Sequence, residues 1–128
     1  MGDTIRIQGA EADIDVVIGT TAVAYTTSSS EVLSSAIDTR AYPGKRIFVV
    51  FNHAADATST GVTPTVKESA SSGGSYAAAT MTGSHAASTS ALATMVQVKR
   101  NAAKPFIKTS ITPAGGSGVI GATVLFMR

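Results

Sequence analysis

Two histidines and two aspartates are the side chains of this 128-residue chain that suggest catalysis or metal binding. His53 and His85, together with Asp56, offer the imidazole and carboxylate donors that divalent metals accept. The same histidines, with Asp38 or Asp56 and one of the many serines, would complete a hydrolytic triad. We favour a structural interpretation, in which His53 ends a core strand and His85 lies on a serine-rich loop, because abundant serine makes a triad easy to assemble by chance.

A glycine-rich segment, GSGVIG at residues 116–121, matches the G-x-G-x-x-G fingerprint of dinucleotide-binding proteins. The fingerprint binds pyrophosphate only where a strand precedes it and a helix follows. Only seven residues follow Gly121, and they read as a strand, so we interpret the glycines as a turn at residues 113–116 that leads into the last strand. The nucleophile motifs G-x-S-x-G and S-x-x-K are absent. The sequence therefore predicts no enzyme activity, no cofactor and no bound metal.

Charge is distributed unevenly along the chain. The first 15 residues hold four acids and one base, whereas the last 30 hold five bases and no acid. Glu11, Asp13 and Asp15 alternate, so in an extended segment they project to one side, where they would attract Ca²⁺ or form a strip that faces solvent or a partner. We favour the strip. The two ends are either two solvated surfaces or complementary ones, through which the N-terminal arm of one copy meets the basic edge of another.

Composition restricts the partners. Only 14% of the residues are charged and 44% are hydrophobic, so the surface is built largely from Ser, Thr, Gly and Ala. Such a surface is poorly protected against association, which indicates a protein that works in an assembly. The net charge of +2 is too small to indicate nucleic-acid binding, and the bases are not interleaved with aromatic residues.

Targeting signals and cysteines are also absent. The chain has no cysteine, which excludes a disulfide framework and thiolate chemistry. Its N-terminus is acidic where a secretory signal carries bases, and no apolar run approaches the roughly 18 residues of a membrane span. We therefore expect synthesis in a cytoplasm and no membrane partner.

The elements that hold these residues read as strands throughout. Apolar residues almost never recur at the helical spacing, and β-branched runs are bounded by turn residues. We predict strands at residues 4–8, 14–18, 21–26, 32–38, 46–52, 63–68, 94–100, 106–112 and 118–126. Pro43 and Gly44 predict a type II turn, and Pro64 predicts an edge or a bulge in its strand.

Two of these runs, residues 47–51 and 119–127, are apolar on both faces. For the first we expect a second face covered by a loop, by the N-terminal arm or by a neighbouring subunit. The second should be a central strand. The whole pattern predicts an all-β fold, an antiparallel β-sandwich of the jelly-roll or immunoglobulin-like kind. We assign residues 1–13 to an extended N-terminal arm and residues 14–128 to a single sandwich domain.

The stretch ESASSGGSYAAATMTGSHAASTSA, residues 68–91, is almost entirely Ala, Ser, Thr and Gly. It is longer than a structureless loop normally is in one domain. Tyr76 and Met81 within it and Leu92 directly after it are apolar anchors that a flexible linker would lack. We therefore predict one long Ala/Ser/Thr-rich loop that packs against the sandwich, with a short strand within residues 77–82.

Four segments, in this order and spacing, resemble small virion structural proteins of tailed bacteriophages, the capsid decoration, cement or minor head proteins. The segments are SSAIDTRAYPGKRIFVVFNHA (34–54), VTPTVKES (62–69), MVQVKRNAAKPFIKTSIT (95–112) and GATVLFMR (121–128). In these relatives the segment after the E-S pair is often short and acidic, whereas here it is the long Ala/Ser/Thr-rich loop.

The resemblance implies a β-sandwich that oligomerises, with a trimer favoured, on the outside of a phage head. Bound across neighbouring major capsid subunits, it would stabilise the assembled lattice. We expect the capsid or subunit interface to combine the arm, the first strand and a basic surface. The residues expected there are Ile5, Arg6, Ile7, Glu11, Asp13, Ile14, Asp15, Val16, Lys99, Arg100, Lys104 and Lys108.

An alternative is a sandwich of the phage tail or fibre that binds host-surface glycan or another tail protein. Sugar sites usually present Trp or Tyr as platforms. The chain has no Trp and three Tyr, which counts against this alternative.

Overall fold

The computed structural model describes residues 14–25, 31–54, 62–85, 90–113 and 118–128, and these residues form an antiparallel β-sandwich. The fold class predicted from the sequence is confirmed. One 3₁₀ turn, Thr39–Ala41, is the only helical element in the described ranges. The strands are β1 (Ile14–Tyr25), β2 (Val32–Leu33), β3 (Ile37–Asp38), β4 (Arg46–His53), β5 (Val62–Ser69), β6 (Ala77–Ala78), β7 (Met81–Thr82), β8 (Leu92–Val98), β9 (Phe106–Pro113) and β10 (Gly118–Met127).

The strands form two five-stranded sheets. Sheet 1 has the order β1-β10-β4-β8-β7, and sheet 2 has the order β2-β9-β5-β6, with β3 also paired to β9. The predicted central position of the last strand is confirmed, because β10 pairs with both β1 and β4. The core lies between the sheets, where one face of each strand is buried. Its largest members are Ile47, Val49, Phe51, Val96, Val98, Val124 and Phe126 from sheet 1 and Ile37, Val66 and Ile107 from sheet 2.

Two predicted boundaries differ from the structure. Residues 14–18 and 21–26 were expected as separate strands, but residues 14–25 form the single strand β1, whose register against β10 shifts after Ile18 and again after Thr20. Residues 32–38 were expected as one strand, but they form β2 and β3. The break occurs because the Ser34 hydroxyl, rather than a backbone carbonyl, accepts the Thr109 N–H at 3.0 Å. The predicted strand at residues 4–8 lies outside the described residues, as does the whole arm.

The turn before β4 has the predicted chemistry. Gly44 adopts a φ of 72°, which the third position of a type II turn requires and which a side chain would disfavour. Just upstream, Asp38 caps the 3₁₀ turn by accepting the Arg40 N–H at 3.0 Å. Pro64 agrees with the predicted edge position: among the described residues β6 pairs only with Lys67 and Glu68, so the side of Pro64 that faces away from β9 has no described strand.

The long Ala/Ser/Thr-rich stretch is an ordered crossing between the sheets where it is described, at residues 68–85 and 90–91. The single short strand expected at residues 77–82 is two strands: β6 extends sheet 2, and β7 extends sheet 1 only three residues later. The Ala79 N–H donates to Val66 O at 2.9 Å, while Thr80 O accepts the Lys99 N–H at 2.9 Å. Neighbouring residues of one short segment therefore bond to opposite sheets. Met81 packs on the core, and the Tyr76 ring centre lies 4.6 Å from Lys108 Nζ of β9, so both residues contact the sandwich as predicted. The Tyr76 hydroxyl donates within the stretch, to Ser72 O at 2.8 Å.

The closest approach of β1 to sheet 2 predicts a steric test. A Cβ at Gly19 would lie 2.7 Å from Thr109 Cγ2 and 2.9 Å from Thr109 Oγ1, and Thr109 is fully buried. We expect Gly19→Ala to lower the free energy of unfolding by about 1–3 kcal/mol, measured by chemical denaturation, because an overpacked core must shift. Combining it with Thr109→Ala should cost less than the sum of the two single changes. Gly73→Ala, where a Cβ meets nothing within 4 Å, is the matched control. Additive effects would contradict the clash.

Candidate interaction surface

The outward side of sheet 1 carries apolar residues on four strands, with the polar residues Thr123 and Gln97 among them. An antiparallel sheet usually exposes polar residues on the side away from the core. Here the register sets Val16 beside Leu125 and Leu125 beside Phe48, while Val50 lies beside Met95. Val16 is 46% exposed and Met95 55%. We call this surface the outer apolar face; its members are Ile14, Val16, Phe48, Val50, Met95, Leu125 and Met127.

The outward side of sheet 2 is mostly polar and internally paired, and Leu33, 43% exposed, is its exposed large apolar residue among those described. Lys67 Nζ and the Ser110 hydroxyl both lie 2.5 Å from Glu31 Oε2. These two hydrogen bonds hold the pKa of Glu31 below its usual value. Lys108 Nζ lies 4.6 Å from the centre of the Tyr76 ring. The sandwich therefore has one side rich in apolar residues and one side that is mostly polar.

Basic residues gather at one end of the sandwich, where β4 begins and β8 and β10 end. The chain order hides this, because the residues come from four separate stretches of sequence. Arg46 borders the outer apolar face, with its guanidinium 5.7 Å from the Phe48 ring centre and Nη2 donating to Arg128 O at 3.0 Å. The bases at this end are Arg40, Lys45, Arg46, Lys99, Arg100, Lys104 and Arg128.

Internal ion pairs engage two of these bases. Lys45 Nζ lies 2.5 Å from Asp15 Oδ2, and the Lys45 side chain is only 10% exposed. Arg40 binds Asp38 through two 2.9 Å hydrogen bonds, which lower the pKa of Asp38. Asp15, expected at an interface, is thus neutralised within its own chain.

Arg100 holds the turn before β4 in place. Its guanidinium donates to Thr39 O at 2.8 Å, to Tyr42 O at 2.8 Å and to Lys45 O at 2.6 Å. It is half-buried and fixes a chain segment 55 to 61 residues away in sequence. Within the described structure its role is therefore internal, in contrast to the basic surface for which it was singled out.

The other expected interface residues are dispersed. Ile14 and Val16 both lie on the outer apolar face. Lys99 and Lys104 are exposed at the basic end, but Lys108 lies on the opposite side of the sandwich, on sheet 2. Five more, Ile5, Arg6, Ile7, Glu11 and Asp13, lie outside the described residues. The sequence did indicate that residues 47–51 need a cover on their second face, but it gave no sign that Met95 belongs to the same surface.

His53 and His85 are brought together and buried. His53 Nδ1 lies 2.6 Å from His85 Nε2, and the two residues are 5% and 7% exposed. His85 Nδ1 bonds the Thr94 hydroxyl. Only one proton fits between the two facing nitrogens, so in the neutral pair one ring donates and the other accepts. Burial and the neighbouring His53 lower the pKa of His85.

In the described structure no further side chain joins His53 and His85 to support a catalytic or a metal-binding site. Asp38 is engaged by Arg40 at the opposite end of the sandwich from His53, and Asp56 lies outside the described residues. No group of three or more His, Cys, Asp or Glu side chains placed to hold a metal occurs in the described ranges. Nor does the described part contain a helix with the length and apolar character to cross a membrane.

Comparisons of the chain with protein-family models, with curated proteins and with solved structures give no match.

The Arg100 contacts predict a large loss of stability on substitution. We expect Arg100→Met to lower the free energy of unfolding by about 2–4 kcal/mol, because three carbonyls lose a charged donor. Lys104→Met, an exposed change nearby, should stay within about 0.5 kcal/mol of the parent. Urea denaturation of both variants measures the difference. Equal stabilities would show that the Arg100 hydrogen bonds contribute nothing net.

The histidine pair predicts an acid-sensitive stability. The pKa of His85 is lower in the folded chain than in the unfolded one. The contribution of His85 to the free energy of unfolding is therefore constant above the unfolded pKa of about 6.5, and it is lost progressively as the pH falls below about 6.5. We expect the free energy of unfolding to fall between about pH 6.5 and pH 5, where carboxylates contribute little. His85→Asn removes this titration and should flatten the slope. A slope that survives the substitution would assign the proton uptake to another group.

Proposed function

We propose that the protein is a virion structural protein that binds the outside of a phage head and stabilises the capsid lattice by bridging major capsid subunits. The observation that carries the proposal is the contrast between the outer apolar face and the polar, internally paired side of sheet 2. A sandwich with one adhesive side is suited to lying flat on a larger surface. The four sequence segments that resemble phage decoration proteins support a capsid as that surface.

The proposed mechanism is adhesion rather than catalysis. Removing the outer apolar face from water contributes roughly 25 cal/mol per Å² of apolar area, and the polar side stays solvated. A protein that binds the assembled lattice but not free capsid subunits stabilises the lattice by mass action. Many copies on one shell multiply this effect. For the copies bound on the head surface, a homo-oligomer with a trimer favoured is part of the proposal.

Cryo-EM of purified virions tests the location. Density on the head surface at each symmetry-equivalent position between capsid subunits is the expected result. A few copies at the tail would instead support the tail-associated alternative, and no density on the virion would end both.

A charge on the outer apolar face should weaken attachment. Met95 is exposed, so Met95→Glu should leave the sandwich folded while placing an unpaired carboxylate in the contact. We expect its occupancy on shells to fall at least tenfold. Thr112→Glu, an exposed position on sheet 2, is the matched control and should keep full occupancy. If only Thr112→Glu lost occupancy, the contact would lie on sheet 2, contrary to the proposal.

A further inference from the structure

β1 is an open edge strand of unusual length. It pairs with β10 on one side, and in the described residues no strand pairs with its other side. The strands at the other sheet edges, β2, β3, β6 and β7, are two residues long, so residues 92–96 of β8 and 62–66 of β5 also have no described strand on one side. Long open edges invite strand addition, and proteins usually protect them with lysine, proline or bulges. β1 contains neither lysine nor proline, and its register shifts leave the first five residues, 14–18, regularly paired with β10.

We propose that β1 is a self-association edge, at which residues 14–18 pair antiparallel with the same residues of a second copy about a two-fold axis. Val16 would face the partner's Val16, and residue 14 would face the partner's residue 18. The two copies of sheet 1 would join into one ten-stranded sheet. This inference concerns the free protein and does not depend on where the protein attaches.

The charges select this register. In an antiparallel pair, directly opposed residues point to the same side of the sheet, so the two-fold axis must pass beside one residue rather than between two. If the regularly paired stretch is used, that central residue is 15, 16 or 17. Centring on Asp15 would oppose two carboxylates. Centring on Val17 would carry the pairing past Ile18 into the register shift. Centring on Val16 keeps all five residues paired and sets Asp15, which Lys45 neutralises, opposite Val17.

The outer apolar face favours a second copy as the occupant. Val16 ends a row that continues through Leu125 to Phe48. Two-fold pairing extends this row across the axis as Phe48, Leu125 and Val16 followed by the same residues of the partner in reverse. The exposed Val16 is thereby covered by the partner's Val16. The row of apolar residues doubles in length with no charged residue within it.

The mass of the purified protein in solution tests the pairing. Native mass spectrometry and sedimentation velocity should give twice the chain mass of 12.9 kDa. Val16→Lys and Val16→Glu should each be monomeric when alone, because like charges then face each other across the axis. Mixing the two variants should restore a one-to-one heterodimer. Only a self-facing position 16 produces this rescue.

Control variants test whether something other than β1 of a second copy occupies the open edge of β1. Met95→Lys lies three strands from β1 and should leave the dimer intact, and circular dichroism checks that the Val16 variants fold. Removal of residues 1–13 should also leave the dimer intact; loss of the dimer would show that these residues of one copy, rather than residues 14–18, make the contact with the other copy. A monomeric parent protein, or a trimer that Val16→Lys leaves unchanged, would overturn the inference. None of these outcomes depends on virions, so they are independent of the proposed attachment to a phage head.

Discussion

The pairing of β4 with β10 is the constraint on which the rest of this structure depends. Both strands carry apolar residues on both sides, so wherever they meet they create two apolar surfaces. The inward one, with Val49 and Val124 side by side and fully buried, is closed by sheet 2. The outward one, with Phe48 beside Leu125, has no described cover. Folding buries one apolar side of such a sheet centre, and the other apolar side stays available for association.

The closed side requires both ends of the sandwich to be held, and polar groups hold them in different ways. At the basic end, the Arg100 guanidinium gathers three carbonyls of the turn before β4, and Tyr42 from the same turn stacks on Phe126 at a ring distance of 4.0 Å. At the far end, His53 and His85 close the space above Phe51. The hydrogen bonds of the Arg100 guanidinium are unaffected by a change of pH near neutrality, whereas the hydrogen bond between His53 and His85 requires one ring nitrogen to stay unprotonated. Acid should therefore loosen the two ends unequally.

Local sequence patterns predicted the strands well, but not the surfaces that the strands build. The continuous apolar run at residues 47–51, the alternation within residues 94–100 and the demand for positive φ at Gly44 are set by near neighbours and are readable along the chain. The adjacency of Met95 and Val50 follows from a pairing between strands about 45 residues apart, which the pattern of either strand leaves open. Arg100 illustrates the same limit. A basic residue in a turn-rich segment reads as a surface charge, and only the fold shows that backbone carbonyls surround it.

An adhesive face beside an open edge would risk uncontrolled polymerisation, and the geometry of sheet 1 limits that risk. Heterologous strand addition at both edges of a sheet generates fibres, whereas a two-fold contact uses the same edge of both copies and closes. At the opposite edge of sheet 1, β7 pairs only with Gln97 and Val98 of β8 and continues into the crossing to sheet 2. Pairing through β1 thus removes one open edge of sheet 1 from further strand addition. With only 14% charged residues to keep copies apart, closure of this kind supplies the control that electrostatic repulsion does not.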